Sequence, residues 1–372
     1  MTNTFDIKKL LNLNTLLVFG IAAVVLRIAG GGDIPIFVTS ALAIVPLAGL
    51  IGTATEEIAA RLGSKVGGLL NATLGNAAEL IITIFALREG LVELVRASII
   101  GSVLGNLLLV MGLAILLGGL KNGIQVFNRR QATMSATLLI MSFMALAIPS
   151  LFDATFVETE SFESELLLSE GIALILILLY AGNVVYSFFP PPDPEHESDN
   201  DHTTPGASHA HHHESQWSMQ MAIGVLAFAT TGIVVMSEFL VGTIEPVVEE
   251  LGWTELFVGV IIIPIIGNVA EHLVAVQMAI KNRMELSMTI ALGSSLQISL
   301  FVAPMLVFIS LLFEEKLLLA FTLPEVIALA AASYVSALVA EDGESNWFEG
   351  MMLLGVYVII AIAFFLLPET MA

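Results

Sequence analysis

Apolar residues run through this chain in long stretches, and a helix needs about 20 mostly apolar residues to cross a bilayer. Eleven stretches qualify: Leu10–Ala29, Ile34–Ala54, Val66–Leu87, Leu94–Leu117, Ala132–Leu151, Glu170–Phe189, Met219–Val241, Leu256–Ile280, Leu286–Phe313, Leu317–Val339 and Trp347–Leu367. The pattern predicts an all-α, multi-pass membrane protein. Lys8 and Lys9 precede the first stretch as they would in a signal peptide, but no small-x-small cleavage site follows. The first stretch is therefore read as an uncleaved helix.

Charged positions orient the spans. With the N-terminus inside, Lys8, Lys9, Arg61, Lys65, Lys121, Arg129, Arg130, Lys281 and Arg283 fall on the cytoplasmic side, and Arg27, Arg88, Arg96 and Lys316 on the other. This is the asymmetry that topology normally follows. It places the C-terminus outside. Two segments interrupt the apolar pattern. Asp153–Glu170 carries six acidic and no basic residues, and Pro190–Ser218 carries six acidic residues, six of the seven histidines and the run PPPDP. The second reads as a flexible cytoplasmic linker. The expected organisation is an extra N-terminal helix in residues 1–30, a five-helix unit in 31–189, the linker in 190–218 and a second five-helix unit in 219–372. Within the linker, HAHHH at His209–His213 suits metal binding or pH sensing near neutrality. Plain solvation of a flexible linker explains the same composition.

Composition narrows the class. Apolar residues make up 57% and charged residues 13% of the chain, against about 45–50% and 25% in soluble proteins. The net charge of −21 argues against nucleic acid as a partner and suggests cationic clients. Exposed acidic loops would give the same imbalance. The absence of Cys excludes thiolate chemistry, disulfides and Cys-ligated zinc.

An internal repeat is more informative. Gly75–Glu79 reads GNAAE and Gly267–Glu271 reads GNVAE, an offset of 267 − 75 = 192. The same offset matches Val66–Gly67 to Val258–Gly259, Glu93–Leu94 to Glu285–Leu286, and Gly101–Ser102 to Gly293–Ser294. Each half holds five predicted spans, an odd number, so the second half enters the membrane inverted. Inverted repeats with a site at their interface are a recurrent transporter plan.

The repeat carries carboxylates. Glu79 and Glu271 lie within apolar helices, where a carboxylate is costly and faces the protein interior. Asn76 and Asn268 lie one turn before them, on the same helix face. Two such faces meeting would give an all-oxygen site suited to a hard cation, with backbone and water completing the shell. Pro264, Gly75 and Gly267 loosen the helices there. Ser102, Asn106, Ser294, Ser295 and Gln297 on the following helices are candidate supporting residues. So is His272, whose counterpart is Leu80. Glu56, Glu57 and Glu245, near helix ends, are candidates for an access path or are simply solvated.

GNAAELIITIFAL at Gly75–Leu87, GSVLGNLLLVMG at Gly101–Gly112 and GNVAEHLVAVQMAIKNRMELSMTIALGSSLQI at Gly267–Ile298 resemble the cation/proton exchanger (CAX) family of the calcium/cation antiporter superfamily. The resemblance implies eleven helices, the first outside the repeat, and Ca²⁺/H⁺ antiport. It assigns Glu79 and Glu271 to the cation, Asn76 and Asn268 beside them, and His272 with the Ser295/Gln297 region in support. Sodium-coupled relatives carry a hydroxyl residue where Asn76 and Asn268 stand. A short N-terminal tail favours a prokaryotic cell membrane over a plant vacuole.

The expected function is thus secondary active transport rather than enzymatic catalysis. Ca²⁺ and H⁺ are the transported ions, no cofactor is expected, and the bilayer is the environment. A homo-oligomer is left open. A calcium ligand must be deprotonated, so metal and proton compete for the same oxygens. Alternating exposure of such a site turns competition into exchange. A sodium-coupled exchanger, a divalent-cation channel and a hydrolase using His272 with Ser294 or Ser295 are the alternatives. The last is disfavoured because His does not recur in the repeat.

Overall fold

The computed structural model describes residues 13–62, 70, 73–153, 162–188 and 217–367. The linker up to residue 216 with its histidines, Lys8, Lys9, Lys65, residues 154–161 of the expected acidic loop, and the start of the third expected span lie outside the described residues, while the rest of that loop, from Phe162 to Glu170, is already helical. Helices dominate because a chain in hydrocarbon must satisfy every backbone N–H and C=O internally. In chain order they are α1 (Leu17–Ala29), α2 (Asp33–Leu62), α3 (Ala77–Arg88), α4 (Val92–Asn122), α5 (Arg129–Asp153), α6 (Phe162–Phe188), α7 (Met219–Val241), α8 (Ile244–Leu251), α9 (Glu255–Ile280), α10 (Met284–Ser310), α11 (Leu323–Ala340) and α12 (Trp347–Leu366). Among the described residues, nine of these are long and apolar enough to span, and α1 is a shorter apolar helix.

Ten of the eleven expected spans correspond to described helices with shifted ends. The expected span Leu317–Val339 starts too early. Residues 316–322 are not helical, and α11 begins at Leu323 behind a Thr322/Glu325 capping box with Pro324 in its first turn. Pro at a helix start and a T-x-x-E spacing are start signals that apolar composition masks. The segment before α11 is buried, so its backbone needs partners. Leu317, Leu319 and Phe321 donate their N–H groups to Ser310, Ser169 and Ser150 Oγ at 2.9, 3.1 and 2.7 Å. Arg96 Nη1 donates to Ala320 O at 2.7 Å.

The 192-residue offset persists in the backbone. A π-helical turn at Gly105–Val110 in α4 recurs at Ile298–Val302 in α10. The helices that carry the two glutamates are each followed by a left-handed residue at matched positions, Gly90 (φ 81°) and Asn282 (φ 60°). The opening helices of the two halves, α2 and α7, run antiparallel: Leu47 meets Gly232, while Met236 and Ala43 meet at Gly20. The repeats differ in one respect. α2 is continuous over 30 residues, through Gly52–Thr53. In the second half, Gly242–Thr243 instead breaks the chain between α7 and α8.

Two glycines bring the halves to close approach. A Cβ on Gly101 of α4 would stand 2.1 Å from Val260 O of α9, and one on Gly259 would stand 2.4 Å from Ala97 Cβ. Backbones therefore touch here without intervening side chains, a packing mode favoured in membranes. The other end of the molecule is strapped by a two-stranded ladder, β1 (Gln125–Val126) with β2 (Glu344–Ser345). Gln125 Nε2 also donates to Ala279 O at 2.9 Å and Asn282 Oδ1 at 3.0 Å, capping the end of α9.

The glycine contact gives a directional test. Gly101→Ala should lower stability by about 1–3 kcal/mol, the usual cost of overpacking. At Gly293, its counterpart by the offset, an added Cβ would meet no described atom within 4 Å, so Gly293→Ala should be near neutral. Thermal unfolding of the two purified variants checks this. Equal destabilisation would refute the close approach.

Candidate cation-binding site

Glu79 lies in the first turn of α3, with Asn76 just before the helix. Asn268 and Glu271 lie one turn apart inside α9. Both segments pass through the middle of the bundle, where α3 and α9 cross. A Cβ on Gly267 would lie 3.5 Å from Glu79 Cβ, so the bare glycine sets α9 directly against the carboxylate-bearing turn.

The polar groups of this crossing form one network between the halves. Ser102 Oγ donates a short hydrogen bond to Glu79 Oε1. Asn268 Nδ2 donates to Glu79 Oε2 at 3.2 Å and lies 3.3 Å from Ser102 Oγ. In the mirrored position, Ser294 Oγ donates to Asn76 Oδ1 at 3.2 Å. The repeat is thus visible in chemistry: the serine of each half is bonded to the asparagine of the other.

Two interactions break the symmetry. Asn76 Nδ2 donates to Gln297 Oε1 at 2.8 Å, and the counterpart of Gln297 is Gly105. His272 Nε2 lies 3.2 Å from Asn106 Oδ1, where the counterparts are Leu80 and Ile298. The second leaves Asn106 Nδ2 buried without a partner among the described residues. The two carboxylates differ as well. Both oxygens of Glu79 are hydrogen-bonded, whereas Glu271 Oε2 is buried without a partner among those residues. An orphaned carboxylate oxygen out of water is costly unless a cation or proton meets it.

The donor set is two carboxylates with amide and hydroxyl oxygens. Among the described residues, no three His, Cys, Asp or Glu side chains converge as a metal cluster. Such a set suits a hard cation that keeps some water or backbone ligands, and imidazole takes part only through Asn106.

The structure thus brings together Glu79, Glu271, Asn76, Asn268, Ser102, Ser294, Gln297, Asn106 and His272. It keeps Ser295 out: Ser295 Oγ donates to Ala291 O of its own helix at 2.9 Å. Glu56 and Glu245 are exposed near helix ends. Glu57 is engaged with Trp217, whose N–H it accepts at 3.1 Å. That contact had no sequence signal, because its partner is a backbone group.

The cross-half network predicts coupling. Asn76→Ala strands Gln297 Oε1, so it should lower stability by about 1–3 kcal/mol, the penalty for leaving a buried polar group unpaired. Gln297→Ala in the Asn76→Ala background should then add little. Thermal unfolding of the two single variants and the double variant tests this, and simple additivity would contradict the bond.

Comparison with known proteins places this arrangement among its relatives. The profile of the family described as "Sodium/calcium exchanger protein" matches residues 32–189 and 221–366. The Ca²⁺/H⁺ antiporter ChaA of Bacillus subtilis is 45% identical over 89% of this chain and 92% of its own length. The Ca²⁺/H⁺ antiporter of Synechocystis is 42% identical over 91% of this chain and 93% of its own. The solved structure of native YfkE superposes with a TM-score of 0.80 at 42% identity, covering 95% of this chain and 100% of that one. The crystal structure of the H⁺/Ca²⁺ exchanger CAX, at 16% identity, shares the fold with a TM-score of 0.70 over 96% of this chain and 92% of its own.

Proposed function

The chain belongs to the sodium/calcium exchanger family, and we propose that it is a secondary active antiporter, not an enzyme, that exports Ca²⁺ in exchange for H⁺. The observation that carries the reading is the carboxylate pair at the crossing of the halves, with Glu271 Oε2 buried and unpartnered among the described residues. Glu79 and Glu271 bind the cation, and Asn76 and Asn268 position it. Ser102, Ser294, Gln297, Asn106 and His272 support them. A proton or a calcium ion can satisfy the same oxygens, and the two exclude one another because a ligating carboxylate must be deprotonated.

Alternating exposure needs a bistable element. The inverted halves supply one. In the first half Gly52–Thr53 lies within a continuous helix, and in the second Gly242–Thr243 interrupts it. α2 and α7 pack against one another beside the site, and exchanging their two forms would move access from one side of the membrane to the other.

The central test uses proteoliposomes with an acidic lumen. Calcium uptake should follow the pH gradient, collapse when the gradient is dissipated, and ignore sodium. Flux driven by a sodium gradient at fixed pH would favour the sodium-coupled alternative, and uncoupled flux a channel. Glu79→Gln and Glu271→Gln keep size and hydrogen bonding but remove the charge. Losing one partner of a buried charge contact costs about 3–5 kcal/mol, so either variant should slow exchange by more than about 100-fold. Normal exchange by Glu271→Gln would remove the site assignment.

We further propose that the protein sits in a prokaryotic cell membrane, with its N-terminus in the cytoplasm and its C-terminus outside. The basic residues at the ends of α4, α5 and α9 support that orientation. A reporter fused after Ala372 should read non-cytoplasmic, and a cytoplasmic signal would break the odd number of spans.

A further inference from the structure

Glu57 and Arg61 stand four residues apart near the end of α2, on one helix face. Between them they hold a single residue at the end of the linker, just before the second half. Glu57 Oε2 accepts the N–H of Trp217, and Arg61 Nη2 donates to the C=O of the same residue. Trp217 is the last residue before Ser218, whose hydroxyl caps α7 by accepting Met221 N at 3.2 Å. A carboxylate and a guanidinium thus bracket both polar groups of the residue that leads into α7. Charge-assisted bonds of this kind are the strong ones, and here they join two chain segments 160 and 156 residues apart.

The contact lies at one end of the helix pair that flanks both glutamates. α2 approaches α9 beside Glu271: a Cβ on Gly49 would lie 3.8 Å from Ala270 Cβ. α7 packs on α3, the helix of Glu79. Along their length α2 and α7 interlock closely, with Gly232 leaving room for the Leu47 side chain at 2.9 Å. Farther along, the pair is joined by apolar contacts, which permit sliding. The bracketed Trp217 is a directional, charged attachment.

We propose that Glu57 and Arg61 are positioning residues that clamp the Trp217 backbone and so hold the start of α7 to the end of α2 through the conformational step of exchange. This rests on the exchange reading above, and it departs from the expectation that Glu57 lines an access path. A clamp acts on the rate of the conformational step and leaves the cation site itself unaltered. An access-path carboxylate acts on how readily calcium reaches the site.

The test compares Glu57→Ala, Arg61→Ala, the double variant and Arg61→Lys with wild type in the same proteoliposomes. The clamp predicts that turnover at saturating calcium falls by about tenfold in either alanine variant, as loss of one charged hydrogen bond allows. It also predicts that KM for calcium stays unchanged, that the double variant is no slower than the single ones, and that Arg61→Lys recovers part of the rate. A raised KM at unchanged turnover would overturn the clamp in favour of an access path. A lowered melting temperature at unchanged turnover would overturn it in favour of a purely structural contact. A second readout does not depend on transport. Hydrogen exchange of the Trp217 amide in the full-length protein should stay protected with and without calcium and become fast in Glu57→Ala. Loss of protection in wild type on adding calcium would show that the contact opens, and the clamp would be wrong. Failure of wild type to exchange calcium for protons would count against the functional reading and would leave the amide measurement standing on its own.

Discussion

A carboxylate inside a membrane protein must be hydrogen-bonded, paired with a cation or protonated, because leaving its charge unmet costs several kcal/mol. Two such groups, Glu79 and Glu271, meet where the halves cross, with little to neutralise them; a third buried carboxylate, Glu325, is held by the Thr322 cap of its own helix. No Lys or Arg lies between Val66 and Leu87 or between Leu256 and Ile280, the predicted spans that contain them. The remaining architecture follows from that constraint. Glu79 is met by Ser102 from the next helix of its own half. Each half's asparagine crosses to the other half's serine, so the two halves hold one another at the place where their charges converge. The arrangement meets the needs of Glu79 in full and those of Glu271 in part. An incompletely met carboxylate is what an ion-exchange site requires, since a fully satisfied pair would have no need of calcium.

Backbone geometry makes that convergence possible. Gly267 lets α9 lie against the Glu79 turn, and Gly101 and Gly259 bring α4 into direct contact with α9 at its own π-helical turn, Val258–Ile262. π-helical turns recur at functional sites because they shift side-chain direction within an otherwise regular helix. Here they occupy matched positions in α4 and α10, and the first contains Asn106 while the second follows Gln297. Those two residues are where the pseudo-symmetry of the site is broken. Equal backbones therefore carry unequal side chains: Gln297 reinforces Asn76 and His272 engages Asn106, so the environments of the two glutamates are not interchangeable.

Much of this was legible in the sequence. Long apolar stretches predict spanning helices with little competition, because lipid demands them. The GNAAE/GNVAE repeat located the glutamates and asparagines, since polar residues kept in register over a fixed offset are hard to explain by helix packing alone. Other features were hidden for identifiable reasons. The buried non-helical segment at Leu317–Phe321 is as apolar as a helix, and only Pro324 and the Thr322/Glu325 spacing mark where the helix starts. The continuity of α2 beyond Ala54 and the break at Gly242–Thr243 are not told apart by the Gly-Thr pairs; the difference lies in Pro246, which cannot donate to the Gly242 carbonyl and has no counterpart at the end of α2. Glu57 read as a solvated or access-path acid because the sequence does not reveal that its partner is the backbone of Trp217. Ser295 and Ser294 are neighbours of the same type, and only the helix phase separates the one in the site from the one bonded to its own helix.

The central claim is that calcium and protons compete for the oxygens of Glu79 and Glu271. Calorimetric titration of calcium into the purified wild-type protein, repeated across pH and in buffers of different ionisation enthalpy, measures this directly. Calcium binding should release protons, and its affinity should weaken as pH falls, because protonated carboxyls cannot ligate. Calcium binding with unchanged affinity across the pH range and no proton release would contradict it.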